Sequence, residues 1–247
     1  MAAGLPAPAF KGARAICFSA TASFTASAVL AVVGTVSLRQ AHRFGLADGQ
    51  GNGVGNGPGN GLGARNYPYA AIPLLFAAQQ FIEGWLWLGL AGTGPEYMPS
   101  VPALTVLYLM FANILWPVYV PVAVLALETS AAHRRRLIVP LLAGIAVSLF
   151  FLNALITQQV WAEIAGHHID YHLPHKYDVV AVLVYAGAAC LAPLMSSHPM
   201  VRLFGGLLVA SMIAAAAIYL TWFASVWCFF AALLSVAVLL QFRRRNT

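Results

Sequence analysis

Long apolar runs separated by short polar connections constrain this chain most strongly. The first reaches from about Ile16 to Leu38, and the last from Leu203 to Phe242. Hydrophobic residues make up 61% of the 247 positions and charged residues only 8%, far below the roughly 25% charged residues that soluble domains carry. About 20 apolar residues are enough for a helix to cross a bilayer. The sequence therefore predicts an all-α, polytopic membrane protein whose main partner is the lipid bilayer.

The apolar runs predict a bundle of seven transmembrane helices. Five are expected at Ile16–Leu38, Tyr69–Leu90, Val101–Leu127, Leu137–Val160 and Tyr177–Met195. The last run is too long for one helix, and we expect it to divide near Thr221 and Trp222 into a sixth and a seventh helix. Pro117 and Pro121 predict a kink late in the third helix.

The basic residues predict how this bundle is oriented. If the N-terminus lies outside and the C-terminus is cytoplasmic, 10 of the 13 Lys and Arg residues fall on the inside, and only Lys11, Arg14 and Lys176 fall outside. Lys and Arg accumulate in cytoplasmic connections, so this distribution favours both the helix count and the orientation. Because most of the arginines flank apolar runs, we expect no nucleic-acid partner.

The domain organisation is expected to be simple. Residues 1–15 form an N-terminal extension, and residues 16–247 form a single seven-helix membrane domain. Within that domain, residues 45–63 read GLADGQGNGVGNGPGNGLG. A tract so rich in glycine builds no core, since glycine loses more backbone freedom on ordering than any other residue. We therefore predict a flexible cytoplasmic loop there.

Polar residues of unusual type are expected on the outer side. The connection between helices four and five reads WAEIAGHHIDYHLPHK over residues 161–176. It contains His167, His168, His172, His175, Glu163 and Asp170. Imidazoles and carboxylates bind divalent metals, and a transition metal such as zinc or copper suits them. We select His167 and His168 as candidate ligands, with a polar interfacial loop bonded to water or headgroups as the alternative.

A carboxylate inside the second helix is a further candidate. Gln79, Gln80, Glu83 and Trp87 share one helix face, and Glu83 lies about two turns from the outer end. A carboxylate at that depth costs several kcal/mol unless it is protonated, paired or hydrated, so it should face the bundle interior. We predict Glu83 as a catalytic residue, with a neutral glutamic acid bonded to a neighbour as the alternative.

Two cysteines are expected at about the depth of Glu83. Cys17 begins the first helix from the outside, and Cys228 lies near the outer start of the seventh. They could form a disulfide, supply thiolates to a metal, or be buried small hydrophobic residues. We include both among the candidate metal ligands.

Several segments together resemble a known family. They are CFSATASF from Cys17, IPLLFAAQQFIEGWLWLGL from Ile72, LWPVYVPVAVLALE from Leu115, GHHIDY from Gly166 and SVWCFFAALLS from Ser225. The chain is similar to an uncharacterised bacterial family of multi-pass membrane proteins, a domain of unknown function whose members typically open with MCFSA. The resemblance implies residence in the inner (cytoplasmic) membrane and assigns no reaction.

Two functions remain open from the sequence. The first is an outward-facing polar or metal site between the helices, which would make the protein a metal-dependent membrane enzyme if a metal-bound water reacts there. The second is a non-enzymatic accessory subunit or sensor, for which a membrane protein partner or a homo-oligomer is expected. The sequence does not decide whether the protein is an enzyme.

Overall fold

Helices account for most of the chain, as the apolar runs predict. The computed structural model describes residues 19–51, 64–166, 168–174, 178–218 and 230–243. Within those ranges the helices are α1 (Ala20–Gly51), α2 (Ile72–Leu90), α3 (Val101–Leu127), α4 (Ala131–Thr157), α5 (Val179–Leu194), α6 (Pro199–Ile218) and α7 (Phe230–Phe242). A short helix, Tyr67–Ala70, precedes α2. An antiparallel hairpin of β1 (Trp161–Ala165) and β2 (His168–His172) lies between α4 and α5.

Three helices of the described part are long and apolar enough to cross a membrane. They are Ala20–Arg43 within α1, the whole of α3 and the whole of α4. On α4, apolar side chains stay exposed along one side, among them Ile138, Val139, Leu142, Ile145, Leu149 and Ile156. The rise from Ile138 to Ile156 is about 27 Å at 1.5 Å per residue, close to the thickness of a hydrocarbon core. These features indicate a membrane protein.

The helix bounds differ from the prediction mainly at α1 and α4. Helix α1 continues past Leu38 to Gly51, so the first residues of the tract expected to be a loop are helical. The residues after Leu38 are Arg, Gln, Ala, His and Arg, which sustain a helix in water, and no proline interrupts them. Helix α4 begins at Ala131 because Ser130, in an extended conformation, precedes it directly. The division expected near Thr221 and Trp222 lies outside the described residues, which on either side belong to α6 and α7.

Near the position where the prolines predict a kink, α3 has a widened, π-type turn over Met110–Leu115, just before Pro117. Proline donates no backbone hydrogen bond and its ring displaces the preceding turn, so the carbonyls there need other partners. The Tyr185 hydroxyl of α5 donates to the Ala112 carbonyl oxygen at 2.6 Å. Helix α5 has a π-type turn of its own over Gly187–Leu191.

Helix α4 packs closely against this widened part of α3. The Ser148 hydroxyl donates to the carbonyl oxygen of Ile114 at 2.8 Å. Gly144, one turn earlier, is buried so tightly that a Cβ atom there would overlap the carbonyl oxygen of Pro117 and contact Ala188 of α5. The three helices therefore meet at a position that only glycine fits.

Two apolar clusters divide the interior along the helix axes. One includes Tyr69, Phe76, Trp116, Phe204 and Phe242. The other includes Leu86, Tyr108, Phe151, Ile169 and Tyr171, and so extends from the helices onto the hairpin. The hairpin is thus part of the packed structure and not a free connection. The all-α expectation is wrong for this segment.

Contacts at the end opposite the hairpin bring several helix termini together. The His42 Nδ1 atom of α1 lies 2.6 Å from the Tyr67 hydroxyl, and the Tyr119 hydroxyl of α3 donates to the Pro68 carbonyl oxygen at 2.8 Å. The rings of Tyr69 and Phe242, from α7, lie 6.5 Å apart. We call this the basic end, since the arginines of the helix termini gather near it: Arg39, Arg43, Arg65, Arg134 and Arg202.

Candidate functional site

The hairpin places two carboxylates and one imidazole on one strand face. Glu163 of β1 pairs directly with Asp170 of β2, and Trp161 pairs with His172. Side chains two residues apart on a strand point to the same side, so all four project together. Gly166 turns the chain between the strands with a φ of +65°, which glycine adopts at little cost.

These three side chains converge on one point. The His172 Nε2 atom lies 2.9 Å from Glu163 Oε1 and 3.6 Å from Asp170 Oδ2. One ligand atom from each of the three lies within 4.8 Å of the other two. The Trp161 ring stacks on the His172 imidazole, with ring centres 4.6 Å apart and planes 9° from parallel. Stacking and pairing together hold the imidazole in place.

The opposite face of the hairpin fixes it to the helices. Ala162, Ile169 and Tyr171 are buried in the same cluster as Leu86 of α2. The Tyr171 ring stacks on Tyr108 of α3, with centres 4.3 Å apart and planes 3° from parallel. Because apolar burial anchors one face, the face with Glu163, Asp170 and His172 has a defined position over the helix ends.

The residues selected from sequence fall into two groups. Cys17, His167 and Cys228 lie outside the described residues. Glu83 is 2% exposed and His168 is 7% exposed, so both are buried. Among the described residues, neither belongs to a set of three convergent metal ligands. Their proposed catalytic and metal-binding roles stay predictions.

Glu83 belongs to a buried row of polar residues on α2. Its Oε2 atom accepts a hydrogen bond from Gln80 Nε2 at 3.0 Å. On the preceding turn, Gln79 Oε1 accepts from the Trp116 Nε1–H of α3 at 2.6 Å. The Trp116 ring also stacks on Phe76 at 3.9 Å. The face expected from the sequence is therefore buried, and it contacts α3.

A further buried carboxylate, Glu128, was not selected from the sequence. It has no exposed surface, and it follows the last residue of α3. Its Oε1 atom accepts from the Ser196 hydroxyl at 2.6 Å and from the Ser197 N–H at 2.8 Å, and its Oε2 atom accepts from the Ser197 hydroxyl at 2.7 Å. Burial acts to raise the pKa of Glu128, but these hydrogen bonds and nearby His198 outweigh it and hold the pKa below its ordinary value.

Two arginines also donate hydrogen bonds to the backbone of the two turns that Glu128 joins. Arg134 of α4 donates to the carbonyl oxygens of Leu125 and Glu128, at 2.9 and 3.3 Å. Arg202 of α6 donates to those of Ser196 and Ser197, both at 3.1 Å. Glu128 thus joins the α3–α4 turn to the α5–α6 turn at the basic end.

Comparison with known proteins identifies a family to which no function is assigned. Residues 16–247 match the model described as "Family of unknown function (DUF6629)", and the chain belongs to that family. The match confirms the resemblance to an uncharacterised domain family. No curated protein and no solved structure matches the chain.

Proposed function

We propose that this member of the family is a seven-span membrane protein that binds one divalent transition metal ion at the outer membrane surface, through Glu163, Asp170 and His172. The observation that carries the proposal is the convergence of one imidazole and two carboxylates on a single hairpin face. The site uses the segment that the sequence singled out for metal binding, with a different choice of ligands within it.

The separations suit a bound metal. Zinc lies about 2.0–2.2 Å from nitrogen and carboxylate oxygen, so two ligand atoms of one ion are at most about 4.4 Å apart. The distances from His172 Nε2 to Glu163 and Asp170, 2.9 and 3.6 Å, lie within that limit. Two carboxylates and a neutral imidazole supply two negative charges, which balance a divalent ion. Rotation of the exposed Glu163 side chain is enough to admit it.

The proposed orientation is supported by the two ends of the molecule. The basic end gathers arginines from three connections between helices, which is typical of a cytoplasmic face. The hairpin lies at the other end, next to the exposed apolar side chains of Val179, Val180 and Leu183 at the start of α5. Trp161 is 53% exposed, and tryptophan is enriched at membrane–water boundaries. We therefore place the three ligands at the level of the outer headgroups of the inner membrane.

The chemistry that follows is that of an incomplete coordination shell. Three protein ligands leave positions for water or substrate, which is typical of catalytic rather than structural zinc sites. A metal there supplies Lewis acidity and lowers the pKa of bound water. Glu163, Asp170 and His172 would hold the ion, and the stacked indole of Trp161 would orient His172. If the protein is an enzyme, the reaction we propose is hydrolysis at the membrane surface. A metal-binding accessory subunit is the non-enzymatic form.

The test measures metal binding by the full chain in detergent. Apoprotein prepared with a chelator is titrated with Zn²⁺, Cu²⁺ or Mn²⁺, and bound metal is counted by mass spectrometry after desalting. We expect one ion per chain with at least one of these metals. Metal contact with His172 should also change the fluorescence of the stacked Trp161.

Matched variants decide whether the hairpin is the site. Glu163→Gln and His172→Ala should each weaken binding by at least about 10-fold, the loss expected when a ligand or its support is removed. The controls are Glu96→Gln, an exposed carboxylate in the α2–α3 connection, and His42→Ala at the basic end. Binding that survives both hairpin variants, or wild-type protein that binds none of the three metals, contradicts the proposal.

A further inference from the structure

We propose that the exposed side of α4 binds an acidic phospholipid, whose phosphate group contacts Arg135 and Arg136. Helix α4 is one of the helices long and apolar enough to cross a membrane, so its exposed side faces lipid. The surface begins at the basic end, away from the hairpin ligands, and its occupancy does not depend on metal binding there.

The first observation is a continuous exposed face along α4. Arg135 is exposed, and Val139, Leu142, Ala146 and Leu149 are exposed on the same side of the helix. Their spacings of three and four residues place them one above another. The rise from Val139 to Leu149 is about 15 Å, half of a hydrocarbon core about 30 Å thick. The face therefore has a charge at the helix end and an apolar surface as deep as one leaflet below it.

The second observation is that the side chains of Arg135 and Arg136 are available to a ligand. Both are exposed, and among the described residues no hydrogen bond or ion pair engages their guanidinium groups. Arg134 differs, since it donates to the carbonyl oxygens of Leu125 and Glu128 at 2.9 and 3.3 Å. One arginine of the three thus stabilises the fold, and the other two face the surroundings.

The chemistry of guanidinium groups favours phosphate. Their planar fork of N–H donors matches two phosphate oxygens at once, which the compact ammonium group of lysine does not do. Each basic residue near a membrane surface strengthens the attraction to acidic lipids about 5-fold, or about 1 kcal/mol. Two adjacent arginines above an apolar helix face therefore match a lipid headgroup with its acyl chains beneath.

The net charge of the lipid follows from the carboxylate nearest to these arginines in the chain. A zwitterionic headgroup also contains phosphate, but its ammonium group would lie near the arginines and be repelled. A free carboxylate beside them would accept that ammonium. Glu128 has no exposed surface, and its two oxygens accept hydrogen bonds from Ser196 and Ser197. The surface therefore favours a headgroup with a net negative charge.

A second copy of the chain fits this face less well than a lipid does. Copies in one membrane share an orientation, so a two-fold pairing through α4 would bring the two Arg135 side chains together. Like charges at such a contact repel each other. An acidic lipid neutralises the same arginines, and its acyl chains cover Leu142 and Leu149.

The experiment measures lipid binding by the full chain in a neutral detergent. Phosphatidylglycerol and phosphatidylcholine with identical acyl chains are titrated separately, and bound lipid is counted by native mass spectrometry. We expect phosphatidylglycerol to bind at least about 10-fold more tightly, the preference that two arginines supply. Soluble glycerol phosphate at the same concentration should not displace it, because it has no acyl chain to cover the apolar face.

Substitutions locate the lipid. Arg135→Gln should reduce the preference about 5-fold, and its combination with Arg136→Gln should abolish it. Both positions are exposed, so neither change removes a contact that holds the fold. The matched control is Arg65→Gln, since Arg65 is exposed at the basic end but precedes half-buried and buried residues. That variant should retain the preference.

Four results would overturn the proposal. Equal binding of the two lipids by wild-type protein would show that the surface does not select acidic lipid. Equal losses in Arg65→Gln and Arg135→Gln would show that only the net charge of the protein matters. Displacement by glycerol phosphate would identify a soluble anion as the ligand. In a chain without its native cysteines, a disulfide between two Leu142→Cys copies in the membrane would assign the face to a second copy.

Discussion

At the scale of single residues, Glu128 shows how a charged side chain is buried among hydrogen-bond donors in this protein. Three hydrogen bonds, from Ser196 and Ser197, reach its two oxygens. Hydrogen bonds to a charged group contribute about 1.5–3 kcal/mol each, more than those between neutral groups. Its partners come from a turn far along the chain, so the residue stabilises contact between turns.

The substitution Glu128→Gln should destabilise the protein by about 2–3 kcal/mol. The glutamine would place an NH₂ group, itself a donor, against a serine group that now donates a hydrogen bond to the carboxylate. The free energy of unfolding is measured in mixed micelles. Glu96→Gln, an exposed position, should change it by less than about 0.5 kcal/mol. Equal effects of the two substitutions would show that the hydrogen bonds of Glu128 do not stabilise the fold.

The same residue predicts a dependence on pH. The pKa of Glu128 is lowered in the folded state, so its contribution to stability is full above the usual carboxyl pKa near 4.3 and falls as the pH drops through the lowered value. Wild-type protein should therefore lose stability relative to Glu128→Gln in that acid range. Unfolding curves of both proteins at several pH values measure it, and parallel curves would contradict the assignment.

Sequence reasoning predicted the burial of Glu83 but missed that of Glu128. Glu83 stands in an apolar run, so hydropathy alone identifies it as buried. Glu128 stands beside Thr129 and Ser130 at a helix end, where a glutamate is usually exposed. Only the fold brings Ser196 and Ser197 into contact with Glu128, and no pattern in a single sequence predicts that contact.

At the scale of elements, the helices could be predicted and the hairpin could not. Apolar runs long enough to cross a membrane leave few alternatives to a helix. In the hairpin, each strand has only five residues, and β2 contains His168, Asp170 and His172, so the segment resembles a loop. The alternation of Trp161 and Glu163 with the apolar residues Ala162 and Ile164 was a weak signal for a strand. It predicts the convergence of Glu163 with Asp170 only once the turn at Gly166 is known.

Packing of α3, α4 and α5 gives a prediction at this scale. Gly144→Ala should destabilise the protein by about 1–3 kcal/mol, because the new methyl group would overlap the backbone of Pro117, which cannot move aside cheaply. Gly206→Ala in α6 is the control, since nothing lies within 4 Å of its Cβ position. That change should be neutral or stabilising by up to about 1 kcal/mol. Similar losses at both sites would mean that the close contact is absent.

At the scale of the whole molecule, two opposite ends carry different chemistry. The basic end consists of helix termini joined by hydrogen bonds through Tyr67, Glu128 and the arginines. The hairpin end has stacked aromatic rings and two carboxylates. The positions of the arginines in the sequence predicted that basic residues gather at one end. The contacts that hold each end together required the structure.

Cysteine labelling tests the proposed topology. Single cysteines at Glu96 and Arg135 are introduced after Cys17, Cys190 and Cys228 are replaced by alanine. A membrane-impermeant maleimide should label Glu96→Cys in intact cells, and Arg135→Cys only after the membrane is opened. The reverse pattern would invert the orientation, and labelling of both from outside would show that α3 does not cross the membrane.

The link between Glu128 and Ser196 also sets an order for biogenesis. These residues are 68 positions apart, and at roughly 5–20 residues per second the ribosome needs about 3–14 s to pass from one to the other. By the end of that interval α1 to α4 have been synthesised, while the acceptor at the end of α3 still waits for its donors. Helix α4 is therefore complete before the turn that secures it exists. A chain stalled ahead of Ser196 should be recognised by proteases as an unfinished protein, even though α1 to α4 are already complete.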